Sequence, residues 1–315
     1  MAGGGLDPQG PAADSIAGLW WLMLALGVAV FIVFAVFLAL GLFRPRPAAG
    51  PDPEPGAEPA HRFSAWMIGA GVAVPLTIIA IVFAATVHAM REVATTAPAG
   101  ALVIDVVGHQ WWWEVRYPEE VVTTANEIHI PVGRDVALRL SSADVIHSFW
   151  VPELGGKLDL LPDKVNTLVI EADQPGEYVS RCAEFCGLQH TLMIMTVVAE
   201  PPERFDQWAA ARRQPAAAAL TDTTARRGQD VFLGAGGCAG CHTVAGTPAT
   251  GTRGPDLTHF ASRPTIAASP LPNTPGNLAE WVSDPHSIKR GVAMPAPRLS
   301  PDDLQAVLAY LGGLR

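Results

Sequence analysis

Twelve residues of this chain, CAEFCGLQHTLM at 182–193, gather Cys182, Cys186, His190 and Met193. The chain has only 4 cysteines in 315 residues, and the other two also stand together, in CAGCH at 238–242. Thiolate, imidazole and thioether in one loop suit copper, a soft metal that tolerates a weak methionine ligand. A disulfide would leave His190 and Met193 without a task, and zinc rarely takes a thioether. One thiolate suffices for a mononuclear copper site, whereas two on one loop can bridge a pair of copper ions. Such a site needs a further imidazole, and His147 in SSADVIHSFW offers one at a strand–loop boundary. The second cluster is C-x-x-C-H. Its spacing suits two thioether links to haem, with the adjacent His242 as an axial nitrogen. A redox dithiol would need a βαβ setting and would leave the histidine unused.

Groups like these must be held by something, and the chain divides into elements able to do it. Ile16–Phe43 carries no charged residue, and Phe63–Ala89 has only His88 as a titratable group. About 20 apolar residues cross the hydrocarbon core, so 16–43 and 63–90 are expected as two transmembrane helices forming a hairpin. Pro75 would kink the second without excluding it. A secretory signal fits the first poorly, because the tail 1–15 has no Lys or Arg and the apolar run is too long. The Pro/Ala-rich loop 44–62 holds Arg44, Arg46 and Arg62, which assigns it to the cytoplasmic side and both termini to the outside. The tail 1–15 is expected to be flexible.

Residues 91–203 read as an outer β domain. EIHIPV, DVALRLSS, VNTLVIEA, GEYVSRC and MIMTVVAE are short, β-branched and partly alternating, with turn residues between them. Val136, Leu138 and Leu140 should share one face, with Arg139 pointing away. Several such runs in one domain suggest a Greek-key sandwich or barrel. His129 is expected on a solvated strand position, and Met195 in the core. A Pro/Ala-rich linker, 204–220, leads to a helical domain at 221–315. There TARRGQDVFLGAG and SPDDLQAVLAYLGGLR should form helices, the second capped by Ser300. Residues 101–203 hold 16 acidic and 6 basic side chains, and 221–315 hold 7 and 8. Nothing here forms a basic patch for nucleic acid, while the acidic segment suits a basic protein partner.

The copper loop, read as C-x-E-x-C-x-x-x-H-x-x-M, resembles that of cytochrome c oxidase subunit II, and the resemblance runs from the helices to about residue 205. It implies an all-β cupredoxin domain holding a binuclear CuA centre. The implied ligands are His147, Cys182, the carbonyl of Glu184, Cys186, His190 and Met193. The Glu184 carboxylate would also meet a magnesium ion shared with subunit I. Trp111, first of the three tryptophans in GHQWWWEVRYP, matches the family position where electrons come in. C-x-x-C-H, GPDL at 254–257, an M-P pair and a last helix together resemble class I cytochromes c, an all-α fold. On the residues alone the second axial ligand is Met294, with His286 and His259 as competitors; the resemblance implies haem c attached through Cys238 and Cys241, with His242 and Met294 as axial ligands and Pro255 beside the proximal histidine.

Both resemblances in one chain imply subunit II of a caa-type oxidase, with its donor cytochrome fused. Its expected role is the electron input of a membrane haem–copper enzyme. Electrons would pass from haem c to CuA and on to haem in subunit I, where O2 is reduced with proton translocation. Subunits I and III are the implied partners, with a soluble cytochrome c or a quinol–cytochrome c reductase upstream. The expected location is the cell (inner) membrane, multi-pass, with the redox domains on the periplasmic side.

Overall fold

A computed structural model describes residues 4–45, 61–93, 96–215 and 222–315. The body of the loop expected at 44–62 and the end of the linker expected at 204–220 lie outside the described residues. The chain divides into two units, one of Asp14–Glu92 and one of Met1–Ala13 with Val93–Arg315.

The first unit consists of two apolar helices. α1 spans Pro11–Phe43 and α2 spans His61–Glu92. Their apolar side chains are turned outward all round, as at Phe31, Phe37, Ile68 and Phe83. A helix greasy on every side has no place in water and fits a bilayer. At 33 residues and 1.5 Å each, α1 outruns a hydrocarbon core of about 30 Å.

That extra length alters the expectation for the tail. The helix begins at Pro11, and the preceding residues are tied to the β domain. Gln9 N–H donates to Glu153 O, Asp173 N–H donates to Gln9 O, and a side chain at Gly10 would collide with the Glu171 carbonyl. The described tail is therefore a strap on the outer unit, for which sequence offered no periodic signal.

The β domain is a two-sheet sandwich. Sheet one runs β3 (Val122–Ala125), β2 (Trp112–Tyr117), β1 (Leu102–His109), β5 (Val136–Ser142), β8 (Asn166–Ile170). Sheet two runs β4 (Glu127–Pro131), β10 (Ile194–Glu200), β9 (Gly176–Cys182), β6 (His147–Trp150), β7 (Leu158–Leu160). β1 with β5 and β4 with β10 pair in parallel, and the remaining ladders are antiparallel. Alternation along the strands sends Ile104, Val106, Trp113, Leu138, Phe149, Met195 and Val197 into one core, while Arg139 stays outside.

Where a linker was expected from residue 204, the chain first makes α3 (Pro202–Arg212). Phe205 and Ala209 of this helix are buried, and Trp208 stacks on His129 with ring centroids 4.2 Å apart. His129 is therefore covered rather than solvated. It sits between Glu127 and Glu200 at 3.8 and 3.3 Å.

The last domain is helical, with α4 (Thr223–Leu233), α5 (Pro275–Ser283), α6 (Pro285–Ile288) and α7 (Pro301–Gly313). Side chains cap them as the composition suggests: Asp222 accepts from Thr224 N–H, and Ser300 from Asp303 N–H. Phe232, Val307, Tyr310 and Leu311 close a second core between α4 and α7. This domain packs on the β domain within one compact unit.

Candidate metal and haem centre

The opening loop closes on itself around its sulfurs. β9 ends at Cys182 and β10 begins at Ile194, so the loop between them is pinned at both ends, and Cys182 N–H donates to Met193 O. Cys182 Sγ and Cys186 Sγ lie 3.7 Å apart, far beyond a disulfide's ~2.05 Å bond, and both cysteines are free. His190 Nδ1 is 3.7 Å and Met193 Sδ 3.9 Å from Cys186 Sγ. His147 arrives from β6 with Nδ1 3.9 Å from Cys182 Sγ, and the Glu184 carbonyl is 3.2 Å from that same sulfur. Ligand atoms of His147, Cys182 and Cys186 lie within 4.8 Å of one another, so one small ion could touch all three. The six groups singled out in the sequence thus converge. The Glu184 side chain is exposed, its carboxylate 3.8 Å from Lys157 Nζ.

Electrostatics fit a cation at this point. The nearby Cys186 sulfur, with help from His147, pulls Cys182 far toward the thiolate, and the same coupling pushes Cys186 up toward the thiol. One proton is thus shared by two sulfurs, and a cation would displace it. His147 is oriented from behind. Its Nε2–H donates to Asp144 Oδ1 at 2.9 Å, which fixes the ring with Nδ1 turned toward the Cys182 sulfur, where a metal would take the place of any proton. Asp144 also accepts from Gln110 N–H and Val145 N–H, and stays below the usual carboxylate range because these bonds outweigh its burial. The ring has little room to turn: a side chain at Gly108 would come within 2.8 Å of His147 Cδ2.

The three tryptophans have three fates. Trp113 is core, Trp112 stacks on His109 at 4.2 Å, and Trp111 lies on the sulfur loop. Trp111 Nε1–H donates to Cys186 O at 2.9 Å, alongside a bond from Gln110 Nε2 to the same oxygen at 2.7 Å. The indole is 8% exposed.

In the helical domain, Cys238 and Cys241 are free and half-buried beside a short turn that follows Gly237. His242 Nδ1–H donates to Pro255 O at 2.7 Å, which leaves Nε2 free for iron. Burial lowers the basicity of this imidazole, so it is neutral and ready to ligate. Gly254 lies against the ring: a side chain there would meet Cε1 at 2.6 Å. Met294 is half-buried in the irregular segment between α6 and α7.

Sequence reasoning missed Asp144, Gly108, Gly254 and Lys289. Asp144 had a readable signal, a carboxylate three positions before a candidate ligand. Lys289 had none, since its partners are remote in sequence.

Comparison with known proteins follows the same division. Residues 120–200 match the family described as "Cytochrome C oxidase subunit II, periplasmic domain", and residues 225–315 match the family "Cytochrome c". A cytochrome c oxidase subunit 2 from Alkalihalophilus pseudofirmus is 36% identical over 98% of this chain and 90% of its own length. The chain belongs to the cytochrome c oxidase subunit 2 family. A second relative of that name, from Bacillus sp., is 32% identical over 78% of this chain and 70% of its own. A quinol oxidase subunit 2 from Bacillus cereus is 32% identical over 64% of this chain and 70% of its own. As a subunit 2, the chain is part of a haem–copper terminal oxidase, an oxidoreductase, and other oxidase subunits are its partners. Its β domain implies copper and its last domain implies haem c, and the free sulfurs and oriented imidazoles fit both. Its two apolar helices make it a membrane protein with an extracellular domain.

Proposed function

We propose that this chain is the electron input of its oxidase. In this reading His147, Cys182, Glu184 through its carbonyl, Cys186, His190 and Met193 hold a binuclear CuA centre. Cys238 and Cys241 attach haem c, and His242 and Met294 are its axial ligands. When bound, the copper pair and the haem each take up and release one electron at a time, without a proton. The protein's part is to hold donors still. Asp144 and Gly108 fix His147, while Pro255 and Gly254 fix His242. A preset geometry needs little rearrangement when the charge changes. Trp111, bonded to Cys186 O and accepting from Lys289 at its own carbonyl, is one of the groups through which the sulfur loop meets the haem domain.

The observation that carries this reading is the free Cys182–Cys186 pair at 3.7 Å with two imidazoles and a thioether gathered on it. A quinol-oxidizing role, suggested by the Bacillus cereus relative, would leave this ligand set and C-x-x-C-H unused. In the proposed arrangement the outer unit faces the periplasmic side, and so does the N-terminus, because residues 4–10 strap onto that unit. Glu184 would reach a magnesium ion at subunit I, and electrons would leave toward haem there, for O2 reduction coupled to proton translocation. Subunit III and an upstream cytochrome c or quinol–cytochrome c reductase complete the assembly.

The test is metal and haem analysis of the purified oxidase with its visible and EPR spectra. The expected result is two coppers and one covalent haem on this chain. A cystine at Cys182–Cys186 with no copper would overturn it.

A further inference from the structure

Lys289 is 1% exposed, an unusual place for a lysine. Its Nζ has three acceptors: Trp111 O at 3.0 Å, Leu192 O at 2.9 Å and Ala267 O at 2.8 Å. An ammonium has three protons and no acceptor site, so three carbonyls satisfy it completely. Two of these carbonyls belong to the β domain, one in the turn between β1 and β2 and one at the end of the sulfur loop, and the third belongs to the haem domain. Lys289 therefore ties the two domains together at the candidate copper site.

Neighbouring contacts serve the same seat. Gln189 Nε2–H, between Cys186 and His190, donates to Arg290 O at 2.8 Å. Gly291 lies against Leu188 and the Trp111 ring, where an added side chain would be 3.3 and 3.7 Å away, and Val292 packs on the β-domain core. From the other side, Ile194 N–H donates to Ala268 O at 2.9 Å. Ala267 and Ala268 both have left-handed backbone, φ 60° and 49°, which alanine seldom adopts. Their two carbonyls are the ones that reach Lys289 and Ile194. Strained residues of this kind persist where surroundings hold them.

We infer that Lys289 is a positioning residue, a latch that seats the segment leading to Met294 on Trp111 and the sulfur loop. This deepens the proposed function and rests on it. The step served is the transfer of one electron from ferrous haem, which becomes ferric, to the oxidised copper pair, which gains it; no bond forms or breaks and no proton moves. The same seat covers Trp111, so an outside donor delivers its electron to the haem domain rather than to the indole.

The experiment is hydrogen exchange on the full-length chain in its purified oxidase, comparing wild type with Lys289→Met. The amide of Ile194 reports the seat, because its partner is across the interface. Losing two charge-assisted bonds between domains lowers the docked-to-open ratio about a hundredfold. Exchange at Ile194 should speed up by that factor, while α7 amides keep their rates. Haem-to-copper electron transfer after rapid photoreduction should slow in step, with haem and copper content unchanged. Gln189→Ala, which removes one neutral bond, should do the same at about tenfold or less, and serves should Lys289→Met not fold. Unchanged Ile194 exchange in both variants overturns the latch. So does acceleration spread equally over α4 and α7, which would mark Lys289 as fold support alone. Exchange is read independently of cofactor content, so missing copper or haem in wild type would count against the proposed function and not against the latch.

Discussion

Gly254→Ala is the perturbation of the last domain aimed most directly at His242. The glycine does not have left-handed backbone, so alanine can adopt its conformation and only the added methyl matters. That methyl would stand 2.6 Å from His242 Cε1 and 3.0 Å from Nδ1, where ordinary contact begins at 3.4 Å. The imidazole must retreat by roughly 0.8 Å to relieve the overlap. It is held by one short bond, Nδ1–H to Pro255 O at 2.7 Å, and that shift takes it to the edge of hydrogen bonding. Losing the bond costs about 1 kcal/mol and overpacking about 1–3 more, for a total of roughly 2–4 kcal/mol. The loss should appear as earlier thermal unfolding of the haem-bearing domain in the intact chain, followed by haem absorbance, and as an altered axial-ligand spectrum. Gly312→Ala is the control. Nothing lies within 4 Å of that position on α7, so alanine should stabilise by about 0.5–1 kcal/mol through helix propensity. If Gly254→Ala unfolds with wild type and keeps its spectrum, the argument that this glycine frames the proximal histidine is wrong.

Other consequences are open to direct measurement. Cys186→Ser should turn the proposed copper pair into a single-copper site, read as a halved copper-to-protein ratio and a changed EPR hyperfine pattern. Asp144→Asn replaces the carboxylate that orients His147 with a neutral, weaker acceptor and should weaken copper binding about 10–100-fold, measured by competition with a chelator. Met294→Leu should abolish the sulfur-to-iron absorption band while leaving haem covalently attached. For the buried Glu127, burial works against the charge, but His129, the Arg263 charge and Thr124 outweigh it and hold the carboxyl at about 2 against an ordinary 4.5. Its stabilisation is complete above 4.5 and is lost as pH falls toward 2. His129 is raised above its ordinary 6.5 because Glu127 and Glu200 outweigh burial, so its contribution is complete below 6.5 and is lost as pH rises through the folded value. Chemical denaturation should find the greatest contribution from this cluster between about 4.5 and 6.5. Glu127→Gln should remove the acid limb and destabilise the domain, because it takes the carboxylate from beside His129 and its charge from the neighbourhood of the buried Arg263.

Much of the fold was legible because its signals are local. Helices apolar on every side announce a bilayer, and Ser300 three residues before Asp303 announces a helix start. Strand alternation separated Leu138 and Leu140 from Arg139 without any knowledge of partners. The proposed copper ligands were legible for a related reason. Five of the six lie on one loop, and the chemistry of soft donors limits what such a loop can bind. His147 is the exception. It is 35 positions from Cys182, and the need for a second imidazole and the family resemblance pointed to it before β6 and β9 were seen to pair through Phe149 and Cys182.

What sequence could not carry is contact between segments whose spacing has no periodic meaning. α3 reads as a Pro/Ala-rich linker because its overall polarity is high, yet Phe205, Trp208 and Ala209 fall on one face and cover His129. Lys289 shows the limit most plainly. Lysines are almost always exposed, so the default for KRGVAMPAP is a solvated loop before a proposed haem ligand. Three carbonyls at positions 111, 192 and 267 reverse that default, because together they replace the water an ammonium would otherwise need. No one of them would suffice, and each depends on a different part of the fold being in place: a strand turn, the end of the sulfur loop and a strained alanine pair. The burial of that lysine is therefore a property of the docked domains, which is why its amide neighbours, rather than its own chemistry, are the place to look for the domains coming apart.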